Sequence, residues 1–533
     1  MNNSTIMIIY KIKSLINSLS GPKTLCLVLL LLGIFFRFVN LDQKIYWRDE
    51  ALTSLQISGY TQKEFIQQTF KGQIISSEDL QKYVHIRPEK SLTDTINALA
   101  TETPEHPPLY YIILRFWVQY FGDSVAVIRS LSTFLSLLVF PCIYWLCMEL
   151  FKSPTVGWMA VGLIAVSPFH VQYAQQAREY SFWTVTTLLS SAVLLQAMRQ
   201  KTRVGWAIYA ATLAIGLYGY SFFVFVAIAH GLYILITSNF RFTKTLISYF
   251  AASIVGFITF IPWIWTTIYH LPEVNRSMEW TNEKASLLDL FKMWFSNIRL
   301  IFFDLEIPKI PSFSLFYSLV LCITVLIGYS IYFLCRHTPK QVWLFVLILI
   351  ISNSLPLMLP DVIFGGTRST TARYWIPCYL AIHLSIAYLF TTKIASIEIS
   401  QPRKFLKIII AIVISGQVLA CAVNANTKVS ISNPSQNEKL SQLINQTNHP
   451  LVVSSNYKYN PTELLSLSYL LDSKVRLQLV KSSDLPDIPN KFSDVFVYSP
   501  FGLPPVWQDE LPKKYNLEPV QELINLWKLT KIN

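Results

Sequence analysis

Apolar residues along this chain come in long unbroken runs separated by short polar connections, the pattern of helices that cross a bilayer and not of amphipathic helices around a soluble core. A span needs roughly 17 to 25 mostly apolar residues, and about eleven runs are candidates, several of them merged or short, centred near residues 31, 138, 163, 190, 211, 229, 257, 324, 350, 384 and 415. Weak separators within 155–199 and 204–238 leave that number open by one or two. The first run, 25–39, is followed by no small-residue cleavage site and fits a retained span.

Two connections are long. In the first, 40–124, apolar residues at helical spacing over 52–70 and the aromatic run HPPLYYIILRFWVQYF at 106–121 predict helices lying in the membrane interface. A short tilted span is the competing reading of 106–121. Another long connection covers 270–312. From residue 424 the composition turns to Asn, Ser, Lys and Asp. Short runs at 451–454, 475–480 and 494–498 read as strands, and 461–471 and 506–511 as helices. The expected architecture is an all-α polytopic membrane domain over 1–423 and a small soluble α/β domain over 424–533, the latter without a readable motif.

Composition supports the bilayer as solvent: 52% of residues are hydrophobic and only 14% charged, against roughly 25% charged in soluble domains. The net charge of +13 would suggest nucleic acid in a soluble protein, but its placement says otherwise. Lys11, Lys13 and Lys23 precede the first span. Lys152, the group Arg199, Lys201 and Arg203, the pairs Arg241 with Lys244 and Arg336 with Lys340, and the group Lys393, Arg403, Lys404 and Lys407 then fall in every second connection. Those connections are the cytoplasmic side by the positive-inside rule, which puts the N-terminus inside and the tail outside, and no nucleic-acid partner is expected. The seven cysteines sit in or beside apolar stretches with no zinc or disulfide spacing.

Candidate chemistry gathers on the outer side. Trp47-Arg48-Asp49-Glu50 places two carboxylates at the start of a helix just after the first span. A helix N-terminus favours negative charge without further purpose, yet a half-desolvated carboxylate at a membrane surface also suits a general base. Ser167-Pro168 is followed by His170, Gln172, Tyr173, Gln176, Arg178 and Tyr180, and Arg373-Tyr374 opens a later span. Arginines near membrane depth either snorkel to headgroups or serve a site, where a guanidinium grips phosphate bidentately and tyrosine adds a hydrogen bond. His106 before Pro107 and Pro108 is a proton carrier, a metal ligand or merely part of a rigid turn feeding a helix. Arg37 and Arg129, at the outer ends of spans, are equally ambiguous.

In order and sidedness these residues resemble the GT-C glycosyltransferases, specifically bacterial relatives of the dolichyl-phosphate-mannose protein mannosyltransferases and the lipid A aminoarabinose transferases. The resemblance covers about residues 22 to 390 and rests on Asp49-Glu50, HPPLYY at 106–111, Phe121-Gly122-Asp123-Ser124 with Arg129, Ser167-Pro168 with Tyr173, Arg178 and Tyr180, and Arg373-Tyr374 with Pro377. It implies an inverting enzyme of the bacterial inner membrane that moves a sugar from a polyprenyl-phosphate carrier to an extracytoplasmic acceptor, whether lipid, glycan or protein. It also implies Asp49 as base with Glu50 in support, and Arg178, Tyr180, Arg373 and Tyr374 on the carrier phosphate, with Arg48, His106 and Tyr173 as further substrate contacts. The tail departs from both branches, so neither lipid A nor protein carries over as acceptor. No cofactor is required by this reading; Asp49, Glu50 and a donor phosphate could share a divalent cation, but no complete ligand set is readable. A transporter or flippase of lipid-linked or anionic substrates is the rival class. Against it, the polar residues cluster in outer loops and not at span centres, and no internal repeat of Gly/Pro-broken segments is visible.

Overall fold

A computed structural model describes residues 22–304, 313–395, 401–428, 436–520, 523 and 526–532; Lys11 and Lys13 lie outside the described residues. The chain divides into two compact units. One comprises the residues up to Val39, Ser132–Trp265 and Met278–Asn426; the other Asn40–Leu131, Thr266–Ser277 and Thr427–Asn533.

The first unit is helical and polytopic. Among the described residues seven helices are long and apolar enough to cross a membrane. Shorter apolar helices stand at the remaining predicted centres, including Pro22–Phe38, Arg203–Gly219 and Phe223–Thr237. Burial sorts the spans: Tyr180–Gln200 and Ala372–Ile394 are 83% buried by protein, whereas Lys244–Tyr269, Phe316–His337 and Lys407–Ala425 are 33% buried. The central spans can therefore carry polar residues matched by protein, and the peripheral ones must be apolar towards lipid.

One span is broken. Helices Pro154–Ala165 and Pro168–Ala174 meet at 64°, because Pro168 has no N–H to give to the carbonyl of Ile164 four residues back. Arg37 fills that deficit: Nη1 donates to the Ala165 carbonyl at 2.5 Å and Nη2 to that of Ile164 at 3.2 Å, with the Phe140 ring 4.9 Å away. A Cβ at position 33 would lie 2.3 Å from the Ala165 oxygen, so the close helix approach that brings Arg37 there requires Gly33. Arg37 is thus a fixture of the fold.

The second unit contains the sheet. Its strands are β1 Ile74–Ser76, β2 Pro450–Ser455, β3 Arg476–Val480, β4 Asp494–Tyr498, β5 Tyr515–Pro519 and β6 Leu526–Lys531, in spatial order β1-β3-β2-β4-β6-β5. β2 runs parallel to β3 and β4, and the other pairs are antiparallel. Leu451, Val453, Val495, Val497, Trp507 and Leu529 form its core. The predicted tail strands are present. The edge strand β1, however, comes from the first long connection, with Gly72 N–H donating to the Leu479 carbonyl at 2.7 Å.

Helix Arg48–Ile57 is likewise built into this unit. It packs against helix Asn460–Ser468, and Ser466 Oγ donates to the Tyr46 carbonyl at 2.6 Å. Ala51, Leu55 and Ile57 are buried by protein. The stretch 52–70, expected as an interfacial segment, is therefore two helices, Arg48–Ile57 and Gln62–Thr69. They are separated at Gly59, whose φ of +85° ends the first.

Candidate active site

The acids are presented by the first turn of helix Arg48–Ile57, and their surroundings differ. Glu50 is wholly buried. Arg129 grips it bidentately, Nε to Oε1 at 2.8 Å and Nη2 to Oε2 at 2.7 Å. The other donors of that guanidinium hold the carbonyls of Leu41, Lys44 and Ile45 at 2.7 to 3.0 Å. One arginine thus folds the chain entering the helix onto the acid inside it. Removing one partner of such a buried pair costs about 3 to 5 kcal/mol, since the other charge is left uncompensated.

Asp49 stays accessible, its side chain 15% exposed, with Arg48 Nε 3.3 Å from Oδ1. Arg48 is itself held by the C-terminal region: its guanidinium lies 5.0 Å from the Tyr459 ring and 5.8 Å from that of Phe501, close enough for cation–π attraction. Glu463, one turn along helix Asn460–Ser468 from Tyr459, faces the same group. Burial pushes the Glu463 carboxyl above its ordinary range; Arg48 opposes that rise and Asp49 adds to it. Arg129, Tyr459, Glu463 and Phe501 were not separable by sequence as parts of one cluster with Asp49, because the contacts span 79 residues in one case and over 400 in the others.

His106 lies in the turn before helix Leu109–Phe121, its N–H donating to the Thr103 carbonyl at 2.9 Å and its ring 6.3 Å from that of Tyr111. Pro107 and Pro108 end the turn, and Tyr110 and Tyr111 are fully buried. Ser277 Oγ caps Glu105 at 2.5 Å, so His106 is the half-buried polar member of an otherwise structural motif.

The cationic set belongs to the first unit. After the break at Pro168, residues 175–179 form an irregular turn pinned from several sides. Gln175 Nε2 donates to the carbonyls of Phe36 and Val39, both at 2.9 Å, and Thr133 and Ser132 donate to those of Ala174 and Arg178. This turn delivers Arg178 and Tyr180. Arg178 meets Glu179 at 3.2 Å, and its guanidinium lies 5.9 Å from the Tyr180 ring. Arg373 approaches the same ring at 5.8 Å, with Tyr374 at 5.5 Å and Trp280 at 6.0 Å. Tyr173 packs on Tyr180 at 5.2 Å. The structure therefore brings Tyr173, Arg178 and Arg373 around the Tyr180 ring, with Tyr374 beside Arg373.

The loop that carries Arg373 is braced by residues with no sequence signal of their own. Buried Asp361 accepts from Ser369 N at 2.7 Å and Oγ at 2.6 Å, and Trp294 Nε1 donates to the same hydroxyl at 2.8 Å. Asn297 holds the Thr370 carbonyl at 2.6 Å. Two guanidiniums fixed beside phenols on a rigid frame have the chemistry of a phosphate clamp. As for a cation, the Glu50 oxygens are engaged by Arg129, and among the described residues no group of three or more His, Cys, Asp and Glu side chains is placed to hold a metal ion.

Residues 105–265 match the family model described as dolichyl-phosphate-mannose-protein mannosyltransferase. Comparison with curated protein sequences gives no match. Among solved structures, ArnT from Cupriavidus metallidurans bound to undecaprenyl phosphate superposes with a TM-score of 0.55 at 13% identity, over 94% of this chain and 97% of that one. The archaeal oligosaccharyltransferase AglB from Archaeoglobus fulgidus, in complex with an inhibitory peptide and a dolichol-phosphate, gives a TM-score of 0.48 at 11% identity. That match covers 83% of this chain, which spans 63% of the length of AglB. The apolar helices make the chain a multi-pass membrane protein, its fold is similar to that of ArnT, and its segment 105–265 is similar to the dolichyl-phosphate-mannose-protein mannosyltransferases.

Proposed function

We propose that this protein is a glycosyltransferase of a bacterial inner membrane that moves a sugar from a polyprenyl-phosphate carrier to an acceptor hydroxyl on the extracytoplasmic face. The observation that carries the reading is the convergence of Arg178 and Arg373 on Tyr180, in a fold shared with a protein solved with undecaprenyl phosphate.

A sugar on a polyprenyl phosphate already has a good leaving group, so the separate acid that glycoside hydrolysis needs is dispensable. The acceptor oxygen attacks the anomeric carbon as the bond to the phosphate oxygen breaks, with inversion. The electron pair leaves with the phosphate, whose growing charge the arginines stabilise. Asp49 takes the acceptor proton, being the accessible member of the acidic pair. Glu50, locked to Arg129, positions it and Arg48 steadies it. Tyr173, Tyr180 and Tyr374 orient the carrier headgroup, and His106 lines the approach of a substrate. The acceptor class is lipid, glycan or protein. A divalent cation, if used, would be held by Asp49 and the donor phosphate, and would add charge neutralisation to that of the arginines.

The test is to reconstitute the full chain in vesicles with a polyprenyl-phosphate sugar and an envelope extract as acceptor, and to follow release of free polyprenyl phosphate. Release that depends on both the protein and the extract supports transfer. Movement of intact donor across the vesicle without release would make the protein a flippase.

A further inference from the structure

A cavity of about 500 Å³ in the second unit lies between the turn preceding helix Leu92–Glu102 and helix Leu109–Phe121, away from the residues used above. Arg87, Lys90, Arg115, Phe116, Gln119 and Asp123 line it.

Its charge is lopsided. Arg115 is buried, yet the groups it donates to are neutral: the carbonyl of Ile57 at 2.5 Å, Thr95 Oγ1 at 3.0 Å and the carbonyl of Lys90. The carboxylate that acts on it, Asp94, already accepts from Ser91 N and Oγ, both at 2.7 Å. Lys90 is neutralised by Glu64 at 2.8 Å, and Asp123 on the far wall is engaged by His85 at 2.7 Å. The exposed Arg87 makes one hydrogen bond, from Nε to the Lys82 carbonyl at 3.3 Å. The exposed Arg87 and Gln119 and the buried Arg115 therefore border a space whose lining carboxylate, Asp123, is engaged by His85. A buried charge left to neutral partners is costly, and an anion in the space offsets it.

Phe116 lines the cavity and is 54% exposed, and Tyr120 and Phe121, further along helix Leu109–Phe121, are 83% and 54% exposed, as side chains at a membrane–water interface are. A cationic cleft beside an exposed aromatic edge matches a phosphate with an acyl chain attached better than a free ion. We propose that this cavity binds the phosphate of an anionic membrane-lipid headgroup, with Arg87 as its principal donor and Phe116 against the glycerol and acyl region. The inference is independent of the transferase reading.

Native mass spectrometry of the full chain in detergent, titrated with phosphatidylglycerol, phosphatidylcholine or inorganic phosphate, tests it. Wild type should retain one phosphatidylglycerol more than Arg87→Ala, whose affinity at this site should fall about tenfold. Arg87→Lys should recover part of the loss, and Phe116→Ala should weaken phosphatidylglycerol while leaving inorganic phosphate unaffected. Equal phosphatidylglycerol retention by wild type and Arg87→Ala would overturn the site. So would inorganic phosphate binding as tightly as the lipid with no effect of Phe116→Ala.

Discussion

Two adjacent carboxylates have opposite fates here. Glu50 is sealed under Arg129, whereas Asp49 reaches the surface beside Arg48. The sequence shows the pair as one acidic signal, because nothing local tells which side chain a residue 79 positions later will seize. The arginines were more legible, since a cation at the outer end of an apolar run needs a reason. Arg37 turned out to mend a helix break and Arg178 and Arg373 to share an aromatic ring. Arg373→Ala should weaken donor binding about 10- to 100-fold, the worth of one charged hydrogen bond of about 1.5 to 3 kcal/mol. Arg373→Lys should recover only part, lacking the planar fork; unchanged donor affinity in a binding titration would remove Arg373 from the clamp. Glu463 gives a pH signature. Its folded-state proton affinity is raised, mainly by burial, so its contribution to stability is full at acid pH and lost as pH rises through the folded value. From about pH 4, the ordinary carboxyl range, upward, the Tm of wild type relative to Glu463→Gln should fall as pH rises, reflecting the ionisation of a buried carboxyl; a pH-independent difference would contradict the burial of that carboxyl.

Among elements, the spans were readable because an all-round apolar helix needs no long-range information. The same holds for the tail strands β2, β3 and β4, short runs bounded by polar turns. What could not be read was β1, three residues whose pairing with β3 depends on a partner about 400 positions away, or the burial of helix Arg48–Ile57, whose covering helix is equally remote. The entry to that helix is held chiefly by the Glu50–Arg129 pair. Glu50→Gln should therefore destabilise the fold by about 3 to 5 kcal/mol, and adding Arg129→Met should return part of the loss, since the stranded charge is then gone. Thermal unfolding of the single and double variants measures it, and strictly additive losses would show that the two residues act separately.

At the scale of the molecule, the sequence suggests a membrane domain ending near residue 424 with a separate tail. The compact units cut the chain differently: the first long connection and the C-terminal region fold together around one sheet. A chain ending before Asn437 would lack the partners of β1 and the rings that steady Arg48. It should lose transfer and expose residues 45–80 to limited proteolysis; a truncated chain with full activity would make the tail dispensable. The central claim, transfer of a sugar with Asp49 as base, is tested most directly by mass spectrometry of envelope glycolipids, glycans and glycoproteins from cells carrying wild type or Asp49→Asn at equal expression. The variant should lose one sugar modification and accumulate its polyprenyl-phosphate-linked donor. An Asp49→Asn profile identical to wild type would contradict it.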